Sequence, residues 1–302
     1  MPTYRFPSPT DLRTAPDPRP PHPAEVDTHP DVRPAPDLDS GSDRPGRDRG
    51  RPPAYQAVLF DFFGTLTRAT RRGRRHATVA ALLGCPVEAL VEVLDRSFYL
   101  RATGALGDAT ATMRWICEQT GVRPSPADLR AAVAARIEAV RADTRLRPEA
   151  VTVLHAVRRR GARTALVSDC THELPEFLPQ LPVAPLLDVR VLSVQEGRCK
   201  PDPAMYLAAC HRLGVAPADC LYVGDGGSQE LTGAARTGMT AVRLAGADLD
   251  GHLVFNRDDG WTGPALTSLA EVPGLLDVPG TGRPGSAPAG FVPVPGGAGC
   301  GV

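Results

Sequence analysis

Asp61, Ser168, Lys200 and Asp225 are the side chains of this sequence whose types and order can do chemistry. Asp61 follows the apolar run Val58-Leu59-Phe60 and precedes Phe62-Phe63-Gly64-Thr65-Leu66. Ser168 follows Leu166-Val167 and precedes Asp169. Lys200 opens Lys200-Pro201-Asp202-Pro203, and Asp225 follows Gly224, with Glu230 shortly after. A carboxylate can attack as a nucleophile. A hydroxyl and an ammonium can stabilise oxygens that gain charge. Carboxylates together can hold a hard cation. Singly, each residue has a plainer reading. Acids are favoured at helix starts, a serine can cap a strand end, and a lysine can be a solvated loop charge.

The reactive set needs elements that bring it together. Short apolar runs bounded by turn residues predict buried strands at about 56–60, 164–167, 189–193, 221–223 and 240–244. Helical segments join them. Pro148 opens one with Val151, Leu154 and Val157 on one face, Asp202-Pro203 opens a second that runs to about Leu213, and Glu230 opens a third that Gly238 closes. Strands joined by helices predict an α/β fold with a parallel sheet and right-handed crossovers. All strand C-termini then share one edge, where Asp61, Ser168 and Asp225 can converge with Lys200.

The alternation is interrupted between 68 and 147. His76 to Leu83, Val87 to Leu100, Thr110 to Thr120 and Pro126 to Ala142 carry apolar residues at helical spacing, and Ser125-Pro126-Ala127-Asp128 fits a helix start. This block reads as a separate helical unit, with Phe98 and Trp115 in its core. The run Arg68, Arg71, Arg72, Arg74 and Arg75 just ahead of it reads as a solvated helix start.

Composition narrows the function classes. Formal net charge is zero, which argues against bulk attraction to nucleic acid or an anionic membrane. The sequence begins without an apolar leader and has no run of 18 apolar residues, so no membrane partner is expected. The seven cysteines are scattered without a Cys-x-x-Cys pair, which predicts reduced thiols and a cytoplasmic location. Cys170 and Cys199 flank site residues but lack a nearby base and read as packing thiols. Residues 1–54 are rich in Pro, Asp and Arg, and residues 277–302 are half Gly or Pro, so both read as disordered tails.

The ordered set Asp61-x-x-Gly64-Thr65-Leu66, Leu166-Val167-Ser168, Lys200-Pro201-Asp202-Pro203 and Gly224-Asp225-x4-Glu230 resembles the four motifs of the haloacid dehalogenase (HAD) hydrolase superfamily. The resemblance spans about Ala57 to Leu244. It implies a Rossmann-like sheet of order 3-2-1-4-5, a core domain over 55–67 and 148–276, and an all-helical cap over 68–147. It also implies roles. Asp61 corresponds to the nucleophile that forms a covalent aspartyl intermediate. Ser168, with Asp169 beside it, and Lys200 correspond to groups that contact the substrate. Asp61, the backbone carbonyl of Phe63, Asp225 and Glu230 correspond to the Mg²⁺ ligands.

One residue departs from the pattern. Family phosphatases carry a second Asp two positions after the nucleophile, where this chain has Phe63, which can neither protonate a leaving alcohol nor activate water. The dehalogenase branch has an aromatic there, because a halide needs no proton, and it needs no metal. The Gly224-Asp225-x4-Glu230 segment resembles the Mg²⁺-binding form instead. The expectation is a Mg²⁺-dependent phosphohydrolase acting on a small anionic, phosphorylated metabolite. The alternatives are a 2-haloacid dehalogenase-like hydrolase and a non-catalytic ligand-binding module. His76, Asp95 and Asp108 are candidates by type for the missing acid.

Overall fold

Strand β1 (Ala57–Phe60) is fully buried, and its side chains alternate between two apolar layers. Val58 and Phe60 face one layer, Ala57 and Leu59 the other. In the computed structural model, which describes residues 53–277, β1 lies between β2 (Arg163–Ser168) and β4 (Cys220–Gly224). Outside these lie β3 (Val189–Leu192) on one side, and β5 (Thr240–Leu244) and β6 (Ala265–Leu266) on the other. The order is β3-β2-β1-β4-β5-β6 and every pairing is parallel. Phe60 pairs with Leu166 and with Val223, so Asp61 leaves the sheet level with the ends of its two neighbours.

The 3-2-1-4-5 order implied by the family resemblance holds. The structure extends it by β6, whose two residues are too short to leave a periodic signal. The expectations for the two tails fall almost entirely outside the described residues.

Five helices form an insert after β1: α1 (Arg75–Leu83), α2 (Val87–Arg96), α3 (Phe98–Ala102), α4 (Ala109–Thr120) and α5 (Pro126–Asp143). They bury their own cluster, including Val79, Leu90, Leu94, Met113 and Ile116, with Trp115 partly buried against it. The chain enters and leaves this insert through a short antiparallel bridge, Thr67 to Leu146. Arg147 fastens that neck: its guanidinium donates to the carbonyls of Thr65 (2.9 Å) and Gly64 (3.0 Å) and pairs with Asp248 (2.8 Å).

The helix expected from Val87 to Leu100 is broken at Ser97, whose hydroxyl donates back to the Val93 carbonyl at 2.6 Å. Ser125 caps α5 as expected, accepting from the Asp128 amide. Six further helices complete the fold: α6 (Ala150–Arg159), α7 (Glu173–Phe177), α8 (Ser193–Glu196), α9 (Pro203–Leu213), α10 (Glu230–Arg236) and α11 (Val272–Leu275). α6 and α11 pack on the Phe60 face of the sheet, α9 and α10 on the Leu59 face. Among the described residues, no single helix is long and apolar enough to cross a membrane.

Candidate active site

A cavity of about 130 Å³ lies where the strand ends meet the helical insert. Asp61, Phe63, Asp169, Lys200, Asp225 and Glu230 all line it. Parallel strands place Asp61 and Asp225 at neighbouring ends, and the loop before α9 brings Lys200 between Asp61 and Glu230. The Nζ of Lys200 donates to Asp61 Oδ1 at 2.7 Å and to Glu230 Oε2 at 2.6 Å. Glu230 is completely buried and fully engaged: Oε2 also accepts from the Tyr222 hydroxyl at 2.7 Å, and Oε1 accepts from the Gly226 amide at 2.9 Å.

The electrostatics of this group follow from burial. Asp61 is raised to about 6 by desolvation and the nearby Asp225, against the pull of Lys200. Asp225 is likewise raised to about 6, by burial and then by Glu230. Carboxylates from Asp61, Asp225 and Glu230 come within 4.8 Å of one another. Such an all-oxygen donor set fits a hard divalent cation, which would reverse the local field that now disfavours ionised carboxylates.

The other expected residues are placed less uniformly. Asp169 is buried, and its Oδ1 accepts from the Lys200 amide at 2.9 Å. Ser168 ends β2, is fully buried and does not line the cavity; its hydroxyl reaches only the Asp169 carbonyl, at 3.5 Å. Phe63 lines the cavity and packs edge-on against Phe62. It belongs to an irregular turn in which Gly64 has φ +83°. A β-carbon at Gly64 would lie 2.6 Å from His252 Nε2, so this close approach requires glycine.

Of the acid candidates named by type, only His76 reaches the cavity. Its Nδ1 faces the Gly73 carbonyl and its Nε2 faces Arg136 Nη1 at 2.5 Å. Burial and then Arg136 push it down to about 4, so it is neutral near pH 7. Asp95 pairs with Arg72, and Asp108 caps α4 by accepting from the Ala111 amide. His172 makes a local bond to the Gly107 carbonyl. Burial pushes the thiols of Cys170 and Cys199 up, which agrees with packing roles.

The structure also corrects two expectations. Phe98 does not belong to the insert's core; it stacks on Phe255 with centroids 4.2 Å apart and rings 4° from parallel, and both line the cavity. Arg72 is not simply a solvated charge, since it too lines the cavity. Beside Phe98, the Tyr99 hydroxyl lies 3.1 Å from the Ser228 hydroxyl.

Residues with no local signal complete the wall. His252 comes from the loop between β5 and β6. Its Nδ1 accepts from the Thr70 amide at 2.7 Å, and its Nε2 lies 3.7 Å from Asp225 Oδ2. The neutral ring therefore carries its proton on the nitrogen that faces Asp225. Arg101 and Arg136 enter from the insert. The apolar triplet Leu253-Val254-Phe255 within a polar loop is the only sequence hint of this wall.

Comparison with known proteins identifies relatives of this chain. A family model described as haloacid dehalogenase-like hydrolase matches residues 55–238. The chain is 28% identical over 194 residues to a glyceraldehyde 3-phosphate phosphatase of Methanopyrus kandleri, covering 63% of this chain and 83% of that one. It is 32% identical over 131 residues to (S)-2-haloacid dehalogenase 1 of Pseudomonas sp., covering 43% and 55%. Among solved structures, L-2-haloacid dehalogenase from Xanthobacter autotrophicus, with chloropropionic acid covalently bound, superposes with a TM-score of 0.53 at 18% identity. That match covers 74% of this chain and 98% of the other, and it shows a shared fold.

Proposed function

The chain belongs to the haloacid dehalogenase-like hydrolase family, and on that premise we propose that it is a Mg²⁺-dependent phosphohydrolase acting on a small phosphorylated metabolite. The observation that carries this reading is the buried pair Asp61 and Asp225. Both are raised to about 6 and line one cavity. Two carboxylates so placed suit a divalent ion, which a halide-releasing site does not need. The glyceraldehyde 3-phosphate phosphatase relative supports the same substrate class.

In this reading Asp61 and Asp225 would hold the cation with the Phe63 carbonyl; Glu230, which the resemblance also implies as a ligand, has both oxygens engaged by Lys200, Tyr222 and the Gly226 amide and serves chiefly to hold Lys200. Bound there, Mg²⁺ would neutralise phosphoryl oxygens and keep both carboxylates ionised. Lys200 occupies Asp61 Oδ1, which leaves Oδ2 to attack phosphorus. That attack forms an aspartyl–phosphorus bond and breaks the bond from phosphorus to the leaving oxygen. Water then attacks the aspartyl phosphate, releasing inorganic phosphate and restoring Asp61. Asp169, which lines the cavity at the end of β2, stands as a substrate contact, whereas the buried Ser168 beside it does not reach the cavity. Phe63 supplies no proton, a loss of about 10² to 10⁴ in rate for poor leaving groups. The reading therefore favours substrates whose leaving group departs unprotonated, such as acyl phosphates.

Phe63 favours one second reading, carbon–halogen hydrolysis, because a halide needs no acid. Phosphate release from acetyl phosphate and p-nitrophenyl phosphate, and chloride release from 2-chloropropionate, each with Mg²⁺ and with EDTA, separates the two. Mg²⁺-dependent phosphate release lost in Asp61→Asn is the expected result. Metal-independent chloride release would establish the second reading instead.

A further inference from the structure

We propose that Thr67 and Arg147, at the neck of the insert, are positioning residues. They fix the direction of the Phe63 carbonyl and so set how tightly the site takes a divalent cation. This rests on the reading of a cation at Asp61 and Asp225, and extends it to two residues that do not line the cavity.

The turn after Asp61 can be built in two ways. Phe63 (φ −75°, ψ 121°) and Gly64 (φ +83°, ψ −14°) have the angles of a type II turn. A type I turn joins the same ends with the peptide between these residues flipped, which reverses the Phe63 carbonyl. Glycine at 64 permits both forms, so the choice falls to the surroundings. The Gly64 amide donates to Thr67 Oγ1 at 3.0 Å, and Thr67 is completely buried. The Thr67 hydroxyl hydrogen is committed to the Arg68 carbonyl at 3.0 Å, so its oxygen is turned to accept. In a trans peptide the carbonyl lies opposite the amide hydrogen, and the Phe63 carbonyl therefore faces away from Thr67.

Arg147 clamps the next two peptides. Its buried guanidinium donates to the Gly64 carbonyl through Nη2 and to the Thr65 carbonyl through Nε, while Nη1 holds Asp248. The Thr67 amide meets the Phe62 carbonyl at 3.0 Å, and the Arg147 amide meets the Leu66 carbonyl at 3.0 Å. The carbonyls of Phe62, Gly64, Thr65 and Leu66 are thus all engaged. Among the described residues, no side chain and no amide outside the turn donates to the remaining one, that of Phe63. A carbonyl held in one direction and left open is an oxygen ligand for a hard cation. A flip would break the Thr67 bond and turn that oxygen away. Thr67 and Arg147 act on the ion only through this carbonyl, as partners that orient a ligand.

Calorimetric titration of the metal-free protein with Mg²⁺, without substrate, is the test. Thr67→Val keeps the branched shape and removes the hydroxyl. It is expected to weaken Mg²⁺ binding about 10- to 100-fold, the range for partners that orient metal ligands. Thr67→Ser restores the oxygen and is expected to bind close to the wild-type protein. Arg147→Lys keeps the charge, loses the planar fork and is expected to weaken binding as Thr67→Val does. Thermal unfolding of each variant separates positioning from a purely structural role. Either Thr67→Val or Arg147→Lys losing unfolding temperature while binding Mg²⁺ as tightly as the wild-type protein overturns the proposal. So does a Thr67→Ser that binds no better than Thr67→Val. Should Arg147→Lys fail to fold, the two Thr67 variants decide. Wild-type binding that Thr67→Val weakens, with no phosphate release from acetyl phosphate, keeps the positioning role and sinks the phosphohydrolase. Mg²⁺-dependent phosphate release with undiminished binding in Thr67→Val does the reverse. A wild-type protein that does not bind Mg²⁺ overturns both.

Discussion

Lys200 Nζ lies 2.6 Å from Glu230 Oε2, and neither side chain is more than 3% exposed. The same ammonium reaches Asp61, so Glu230 holds the cation that positions the nucleophile. Removing one partner of a buried ion pair costs about 3–5 kcal/mol. Glu230→Ala is expected to lose stability on that scale in urea unfolding. A loss below about 1 kcal/mol would mean that Asp61 alone compensates Lys200.

Metal binding is expected to be visible without turnover. A ligand at 100 times its Kd stabilises the folded state by about 2.7 kcal/mol. Mg²⁺ should raise the unfolding temperature of the wild-type protein and leave that of Asp225→Asn unchanged. Asp61→Asn should keep its fold by circular dichroism and lose turnover by a factor on the order of 10⁴ or more. A wild-type unfolding temperature indifferent to Mg²⁺ argues against a cation at Asp225.

Gly64→Ala is expected to destabilise by about 1–3 kcal/mol, since the site combines φ +83° with a β-carbon 2.6 Å from His252 Nε2. The double variant Gly64→Ala with His252→Ala should recover the steric part and keep the backbone part. Thermal unfolding of the single and double variants reads the two contributions. Additive losses would place the clash elsewhere.

Phe98 and Phe255 join the insert to the loop between β5 and β6 as a stacked pair. Their coupling, from a double-mutant cycle with both changed to Ala, is expected at about 0.5–1.5 kcal/mol. The single variants should also raise KM, because both rings form the cavity wall. Zero coupling would mean that the rings do not hold the insert against the loop.

Glu173 sets an acid limit. Burial would raise its carboxyl, but Arg136 and then Arg101 outweigh this and bring it from 4.5 down to about 2. A depressed carboxylate contributes stability that is fully present above its unfolded value and is lost as pH falls through the folded one. The window is therefore about pH 4.5 to 2, and the contribution is on the order of 3 kcal/mol. His76, depressed from 6.5 to about 4, acts in the same direction over pH 6.5 to 4. Glu173→Gln is expected to lower stability at pH 7 and to match the wild-type protein near pH 2. An equal deficit at both values would assign the loss to packing.

Phe63 was visible in the sequence as the departure from the acid-bearing pattern; what surrounds it was not. The sequence by itself determined the parallel sheet, and the resemblance of its motifs to a known family supplied the order of the first five strands. Short buried runs and their helical connections are local signals that parallel topology converts into one shared edge. It also placed Asp61, Lys200 and Asp225 there, because each stands at a strand end or in the loop beside one, while Glu230, at the start of α10, was placed by the resemblance. Only the tertiary structure decided the opposite wall. Arg101, Arg136, His252 and Phe255 lie far from the strand-end motifs, and they meet the cavity because the helical insert folds back onto the loop after β5. Side-chain commitment was likewise a tertiary matter. Asp108 became a helix cap and Asp95 a partner of Arg72, while Arg101 was buried with its guanidinium on Ser97 and the Leu94 carbonyl. Residue type states what a group can do; burial and the partners around it decide what it is free to do.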